Sequence, residues 1–402
     1  MRQLRSYLDA SSLWTLLDQG VVSGSTLIVS ILLVSYLGVD GFGIYSLYWM
    51  AVLLISGFHQ ALVVMPLYTL FPKMNSLDEY IHQLFREQLI FSLLSMLLVV
   101  GIFSFSRLLG YEVNMLHALL LGLITATFTL QDLLRRVLFV KSKAKSAFWV
   151  DVVNVGLLPI VFVGMWNFYE VNLTLVLLVT LAFKGLSILL AIRLIAVNLS
   201  LKVESETVRK EHWESGKFLL ASSVLQWFSG NAFILVSGVL LGPFAIGVLR
   251  IAQSILGVMN VFFLFLENRV PIEAAKVLHN EGHGAFNKYM FQESKKYFWL
   301  LMLALLTLGI FNQPITSIFY GDALQNAQWL IPSYCLLYVF IYAGTMLRFT
   351  FRTLDQNKIL FYGYAVSALV GLTCVYPMIK WWGLLGVVVG LSLIHISEPT
   401  RL

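Results

Sequence analysis

Two cations stand where a chain this apolar should hold none. Lys184, in Leu-Ala-Phe-Lys-Gly-Leu, lies about eleven residues from either end of an apolar run, or ~16 Å at 1.5 Å per residue. Its stem cannot reach either membrane surface, and a lone lysine there costs ~2.5–3.5 kcal/mol on insertion scales. Lys184 should therefore face a polar cavity or an acidic partner, either as a cation presented to an anionic substrate or as half of a structural ion pair. Arg250 lies four residues into its own run, ~6 Å below the surface. It can snorkel from there, or it can grip a phosphate, because its planar fork donates two bonds at once.

Asp18, beside Gln19 near the start of the first run, has three open roles: carrying a coupling proton, pairing with a cation, or reaching the interface. His59, in Gly-Phe-His-Gln-Ala-Leu, is a candidate cavity group, with a satisfied packing histidine as the plainer reading. Gln226, Asn231, Gln253 and Asn260 fall on the seventh and eighth runs. Amides there either bond between helices or line a cavity. All of these groups suit binding and transport more than bond chemistry. No Gly-x-x-x-x-Gly-Lys-Ser/Thr loop is present to drive an ATP motor. No cluster has metal-ligand spacing, so no cofactor and no metal are expected. Cys335 and Cys374 both sit in apolar runs and read as small buried hydrophobes.

The elements that must position these groups are membrane helices. The 402 residues are 59% hydrophobic and 12% charged, with a mean hydropathy of +0.83, too little charge for a soluble surface of this length. Apolar runs predict helices at about 13–37, 44–66, 88–107, 115–135, 147–167, 173–195, 217–241, 246–268, 297–315, 327–348, 359–379 and a clipped 382–396. The expected fold is all-α, a polytopic integral membrane protein with 12 spans. The first run is too long for a signal-peptide core, and no cleavage site follows it.

With the N-terminus in the cytoplasm, 22 of the 27 Lys and Arg fall on the inner side. Only Arg107 and Lys380 fall on the outer side, as the positive-inside rule requires. Trp14, Trp149 and Trp299 then mark inner ends, and Trp166, Trp329, Trp381 and Trp382 outer ends. The net charge of +6 is accounted for by topology and calls for no nucleic-acid partner.

The spans come in two sets. Leu37-Gly38, Gly43, Pro66, Arg135 and Lys145 recur as Leu241-Gly242, Gly247, Pro271, Arg348 and Lys358, at offsets of 204, 204, 205, 213 and 213. This predicts a parallel repeat, a transporter architecture: a six-helix lobe over 1–197, a cytoplasmic linker over 198–216, and a second lobe over 217–390. The longest loop, about 269–296, is expected on the inside.

The segment Leu37-Gly38-Val39-Asp40-Gly41-Phe42-Gly43-Ile44-Tyr45 resembles the Leu-Gly-x-x-x-Phe-Gly-x-Tyr turn of polysaccharide exporters. Similar stretches are Trp14 to Gly20, Leu134-Arg135-Arg136 through Lys145, and Leu241-Gly242 through Arg250 to Ser254. The family comprises the O-antigen and teichoic-acid exporters (Wzx-type flippases) of the multidrug/oligosaccharidyl-lipid/polysaccharide superfamily. The resemblance implies a V-shaped pair of lobes around a cationic cavity in the bacterial cytoplasmic membrane. It implies a polyprenyl-pyrophosphate-linked oligosaccharide carried from the inner to the outer leaflet, with a polysaccharide polymerase and a chain-length regulator as working partners. It makes Arg250 an anion contact, whereas Lys184 matches no family motif.

Residues 391–401, Leu-Ser-Leu-Ile-His-Ile-Ser-Glu-Pro-Thr-Arg, resemble the translation of a DNA-library adapter. They are set aside from the functional reading, and the last helix is expected to be truncated. Two rivals remain. A cation-coupled drug antiporter of the same superfamily would want deep acidic residues. A membrane polysaccharide polymerase or ligase would want a large outer loop bearing Arg and His, which the expected topology lacks.

Overall fold

A computed structural model describes residues 10–74, 76–108, 114–165, 170–195, 206–325, 327–354 and 356–397. Residues 198–205 of the expected linker and 398–402 of the tail lie outside the described residues. Every described element is helical. In chain order they are α1 (Ala10–His59), α2 (Met65–Leu70), α3 (Leu77–Leu108), α4 (Met115–Val140), α5 (Ala144–Asp151), α6 (Leu158–Met165), α7 (Leu173–Ile195), α8 (Glu206–Leu241), α9 (Pro243–Leu256), α10 (Met259–Ile310), α11 (Asn312–Tyr320), α12 (Leu330–Thr353), α13 (Asn357–Trp382) and α14 (Leu384–Ser397).

Among the described residues helix is found at each of the twelve expected spans, and the chain is an all-α polytopic membrane protein. Six stretches are each long and apolar enough to cross a membrane, or eight when two bent pairs are included. One of the six, Leu17–Leu70, turns sharply at Gly38 and so supplies two spans. Leucines 93, 94 and 97 and Phe105 stand outward on α3, as lipid-facing residues do and core residues cannot. α14 is 14 residues long, against the ~20 that a spanning helix needs. The expected inner loop at 269–296 is corrected: it is helix, the middle of α10, bent at Gly282 (φ 82°, ψ −179°). Its charges suggested a loop, but Lys276–Glu273 and Lys296–Glu293 pairs one helical turn apart let a polar surface stay helical. Part of the expected linker is also helical, since α8 begins at Glu206.

The chain divides into two compact units. Unit 1 comprises Met1–Leu37 and Leu47–Val224, and unit 2 comprises Gly38–Ser46 and Leu225–Leu402. Unit 1 is built on α4, packed between α3 and α7. Its main apolar core gathers Leu67, Leu84, Leu133, Val137, Leu138, Ala147, Val150 and Ala191. Two π-helical turns interrupt its helices, Gln60–Val64 after α1 and Val152–Gly156 between α5 and α6. Such single-turn widenings gather at functional sites. In unit 2, α12 packs on α9, α10 and α14, around buried Leu249, Ile251, Leu256, Tyr334 and Phe349.

The repeat landmarks have a backbone cause. Gly38 (φ 69°, ψ 178°) and Gly242 (φ 86°, ψ 177°) adopt the same conformation, one open almost solely to glycine. Five residues on, Gly43 and Gly247 are each a point of close approach inside unit 2. A Cβ on Gly43 would lie 2.0 Å from the Pro243 carbonyl oxygen, and one on Gly247 would lie 2.2 Å from the Val39 carbonyl oxygen. Val39 follows Gly38 as Pro243 follows Gly242, so each turn receives the other's backbone in the same way.

Candidate functional site

Within unit 1, α4 carries Gln131, Asp132, Arg135 and Arg136 into the bundle, and the neighbouring helices meet them with complementary groups. The Arg135 guanidinium donates to Asp18 of α1 and to Asp151 of α5, and its carbon lies 5.1 Å from the centre of the Phe139 ring. Asp18 and Asp151 are 1% and 3% exposed, so this is a buried bridge between two carboxylates. Gln131 adds a bond from its amide to Asp151 Oδ1 at 3.0 Å. One turn along, Arg136 donates to Asp132 Oδ1 at 3.1 Å, and the Gln60 amide donates to Asp132 Oδ2 at 2.9 Å. Gln60 opens the first π-helical turn, and the extra residue in that turn leaves it beside its neighbour His59, facing the same carboxylate.

Among the described residues Lys184 forms no ion pair with a carboxylate, and it does not stand exposed. It is 3% exposed. Its ammonium donates to Asn154 Oδ1 at 3.3 Å and faces the rings of Phe128 at 4.7 Å and Trp49 at 5.8 Å. Asp151 and Asp132 act on it only from beyond ion-pair distance. Two aromatic faces in a dry site supply the attraction that a carboxylate would otherwise give, about 2 kcal/mol or more. Asn154 lies in the second π-helical turn, so each widened turn delivers one amide to the buried charges of unit 1.

His59 is fully buried. Its Nε2 lies 2.9 Å from Gln88 Oε1 and its Nδ1 3.3 Å from Asp132 Oδ2. Gln19, by contrast, is exposed and bonds Ser23 at 3.4 Å on its own helix. The structure thus brings Asp18, His59 and Lys184 into the interior of unit 1 and leaves Gln19 at its surface.

Unit 2 holds the other cation. The Arg250 guanidinium of α9 donates to Gln253 Oε1 at 2.9 Å and lies 3.4 Å from Asn231 Oδ1 of α8. Asn231 in turn donates from its amide nitrogen to the Trp227 carbonyl at 3.0 Å. Among the described residues no carboxylate pairs with Arg250. Tyr334 of α12 is 1% exposed, within electrostatic reach of Arg250, and its hydroxyl has no hydrogen-bond partner of good geometry. Of the other expected amides, the Gln226 side chain lies outside the described residues, and Asn260 keeps a buried, unpartnered Oδ1.

Sequence reasoning missed Asp132, Asp151, Asn154, Gln88 and Tyr334. A signal existed for the first: Asp132 and Arg136 stand four residues apart near the end of an apolar run, the spacing of a helical ion pair.

No protein-family model matches the chain, and no curated protein matches it. Solved structures do. The chain is similar to the lipid II flippase MurJ in an inward closed conformation, with a TM-score of 0.68 and 15% identity over 96% of this chain and 85% of that one. It is similar to the inward-facing conformation of a multidrug resistance MATE family transporter of the MOP superfamily, with a TM-score of 0.62 and 16% identity over 96% and 91%. It also matches a MOP superfamily transporter from Pyrococcus furiosus with a binding pocket of reverse polarity, with a TM-score of 0.56 and 13% identity over 96% and 91%. Likeness at such identities speaks for architecture, and the chain has the fold of the MOP superfamily transporters.

Proposed function

We propose that the chain is a flippase that carries a polyprenyl-pyrophosphate-linked oligosaccharide from the inner to the outer leaflet of a bacterial cytoplasmic membrane. One observation carries the proposal: Arg250 is a largely buried guanidinium whose only described polar partners are the amides Gln253 and Asn231. The buried Tyr334 hydroxyl lies within its reach. A buried cation is costly unless paired, and this cluster has more donors than acceptors. An oxyanion is the ligand that corrects both deficits, and a pyrophosphate offers charge and several acceptor oxygens at once. The site is exposed in turn to each leaflet as the protein changes conformation. Asp18, His59 and Lys184 serve the interior of unit 1 in this reading and do not touch substrate.

A cation-coupled drug antiporter is the second reading, favoured by the three buried carboxylates Asp18, Asp132 and Asp151. Arg135 bridges Asp18 and Asp151, Arg136 pairs with Asp132, and Lys184 acts on Asp151 and Asp132 from further off, so three cations stand among the three carboxylates, which weighs for the anion carrier. Binding of polyprenyl pyrophosphate to the purified protein separates the two. Arg250→Gln should weaken binding at least ~10-fold, since a charge-assisted bond to phosphate is worth about 1.5–3 kcal/mol, while leaving membrane abundance unchanged. Equal affinity in wild type and variant would defeat the reading.

A further inference from the structure

We infer that His59 and Asp132 together hold a dissociable proton inside unit 1. The inference is independent of the substrate proposed above and follows from the direction of one chain of hydrogen bonds. The chain is anchored at a backbone carbonyl, which can only accept. Thr129 Oγ1 lies 3.0 Å from the Ala126 carbonyl oxygen and donates its proton there. Thr129 Oγ1 must then accept from Ser92 Oγ, 3.0 Å away. With its own proton committed, Ser92 Oγ must accept from the Gln88 amide nitrogen at 3.0 Å. That fixes the Gln88 amide, so Gln88 Oε1 faces His59 Nε2 at 2.9 Å. An amide oxygen cannot donate, so Nε2 carries a proton.

In a neutral imidazole the other nitrogen is then a bare acceptor. Nδ1 is buried, has no hydrogen bond of good geometry, and its facing atom is Asp132 Oδ2 at 3.3 Å. A lone pair pointed at an ionised carboxylate is repulsive in an interior of low dielectric. One further proton removes the conflict, either on Nδ1, making an imidazolium–carboxylate pair, or on Oδ2, making a neutral acid that donates to Nδ1. The pair therefore binds H⁺ in either microscopic form.

Every charged neighbour belongs in the balance. α4 contributes Asp132, with Arg136 on its other oxygen and Arg135 acting from a greater distance. α7 contributes Lys184, which acts on Asp132 from beyond ion-pair distance. α3 contributes the neutral Gln88 and the ring of Phe91, 5.5 Å from the His59 ring. The π-helical turn contributes Gln60, whose amide holds Asp132 Oδ2 at 2.9 Å. Because His59 and Gln60 are adjacent at a helix widening, any rearrangement of that turn that withdraws them from Asp132 removes the reason for the proton to stay.

The test uses the full chain in detergent or nanodiscs, with ¹⁵N-labelled histidine and infrared spectroscopy of the carboxyl region. His59→Asn identifies the His59 signal by its loss, and Asp132→Asn identifies any carboxylic-acid band. The expected result near neutral pH is one of two signatures: both His59 nitrogens protonated, or a carboxylic-acid band that disappears in Asp132→Asn. Gln88→Leu, which leaves the pair intact, frees Nε2 of its acceptor, lets the tautomer reverse, and should release one proton per molecule. Should the first two variants fail to fold, the comparison of wild type with Gln88→Leu still decides. A His59 with one bare nitrogen and no acid band between about pH 5 and 8, unchanged by Gln88→Leu, would overturn the inference.

Discussion

Replacing Arg135 with glutamine asks whether charge holds the interior of unit 1 together. The guanidinium bridges Asp18 and Asp151, both nearly inaccessible to solvent, and Asp18 Oδ1 already has no partner. Without the arginine, two carboxylates face one another, with Gln131 donating to Asp151. Removing one member of a buried pair costs about 3–5 kcal/mol, because the remaining charge keeps its desolvation penalty and loses its compensation. Relief of the desolvation borne by the guanidinium offsets part of the second broken contact, so ~4 kcal/mol is the working figure. A unit of some two hundred residues loses about 2–4 °C of melting temperature per kcal/mol, which gives a fall of roughly 8–16 °C. Tryptophan fluorescence during thermal unfolding in detergent reads this directly. The triple variant Asp18→Asn, Arg135→Gln, Asp151→Asn keeps the sizes and removes all three charges, and it should recover most of the loss. The reasoning fails if Arg135→Gln melts within about 2 °C of wild type, or if the triple variant is no more stable than the single one.

Other outcomes are as definite. Gly247→Ala places a methyl 2.2 Å from the Val39 carbonyl oxygen and should lower both yield and melting temperature. Gly20→Ala, which meets nothing within 4 Å, should be neutral or stabilising by about 0.5–1 kcal/mol; equal effects at the two sites would deny the close crossing. Gly38→Ala has room for its methyl but a positive φ, so its cost should be backbone strain of about 1–3 kcal/mol, read from the same melting curves. Lys184→Met keeps the length of the side chain and removes its desolvation, and should leave stability within about 1 kcal/mol of wild type or raise it. A collapse of that variant would mean that the ammonium neutralises Asp151 and Asp132 across the gap.

Much of the architecture was legible because hydrophobic length is a strong signal in a bilayer. Gly38 and Gly242 were visible as a repeated spacing, and their shared backbone conformation explains why the spacing was kept. The helical segment at 269–296 was misread because charge density is a poor guide to backbone conformation once residues one turn apart can pair. The interior of unit 1 was harder to read. Asp18 and Arg135 are 117 residues apart in the chain, and no local pattern announces such a pairing. The two π-helical turns shift a register by one residue, which hydropathy averaged over a span does not register. Lys184 stood out as an anomaly of depth, yet the partners that resolve it, Phe128, Trp49 and Asn154, look in sequence like ordinary members of apolar runs. Arg250 stood out for the same reason, and its pairing with amides, with no carboxylate partner among the described residues, appears only once α8, α9 and α12 are assembled.

The reciprocal crossing of the two glycine turns also sets a schedule for biogenesis. Gly38–Ser46 belongs to unit 2 by its packing, yet it is made before the rest of that unit. Its counterpart follows 204 residues later, which at ~5–20 residues per second is a delay of roughly 10–40 s. For that interval the Val39 carbonyl and the cleft at Gly43 stand without the backbone that will fill them. The first hairpin must therefore enter the bilayer and wait open-ended, held by unit 1 on either side of the turn. Joining the two turns is then a late event of assembly, set by the ribosome's progress through the residues between them.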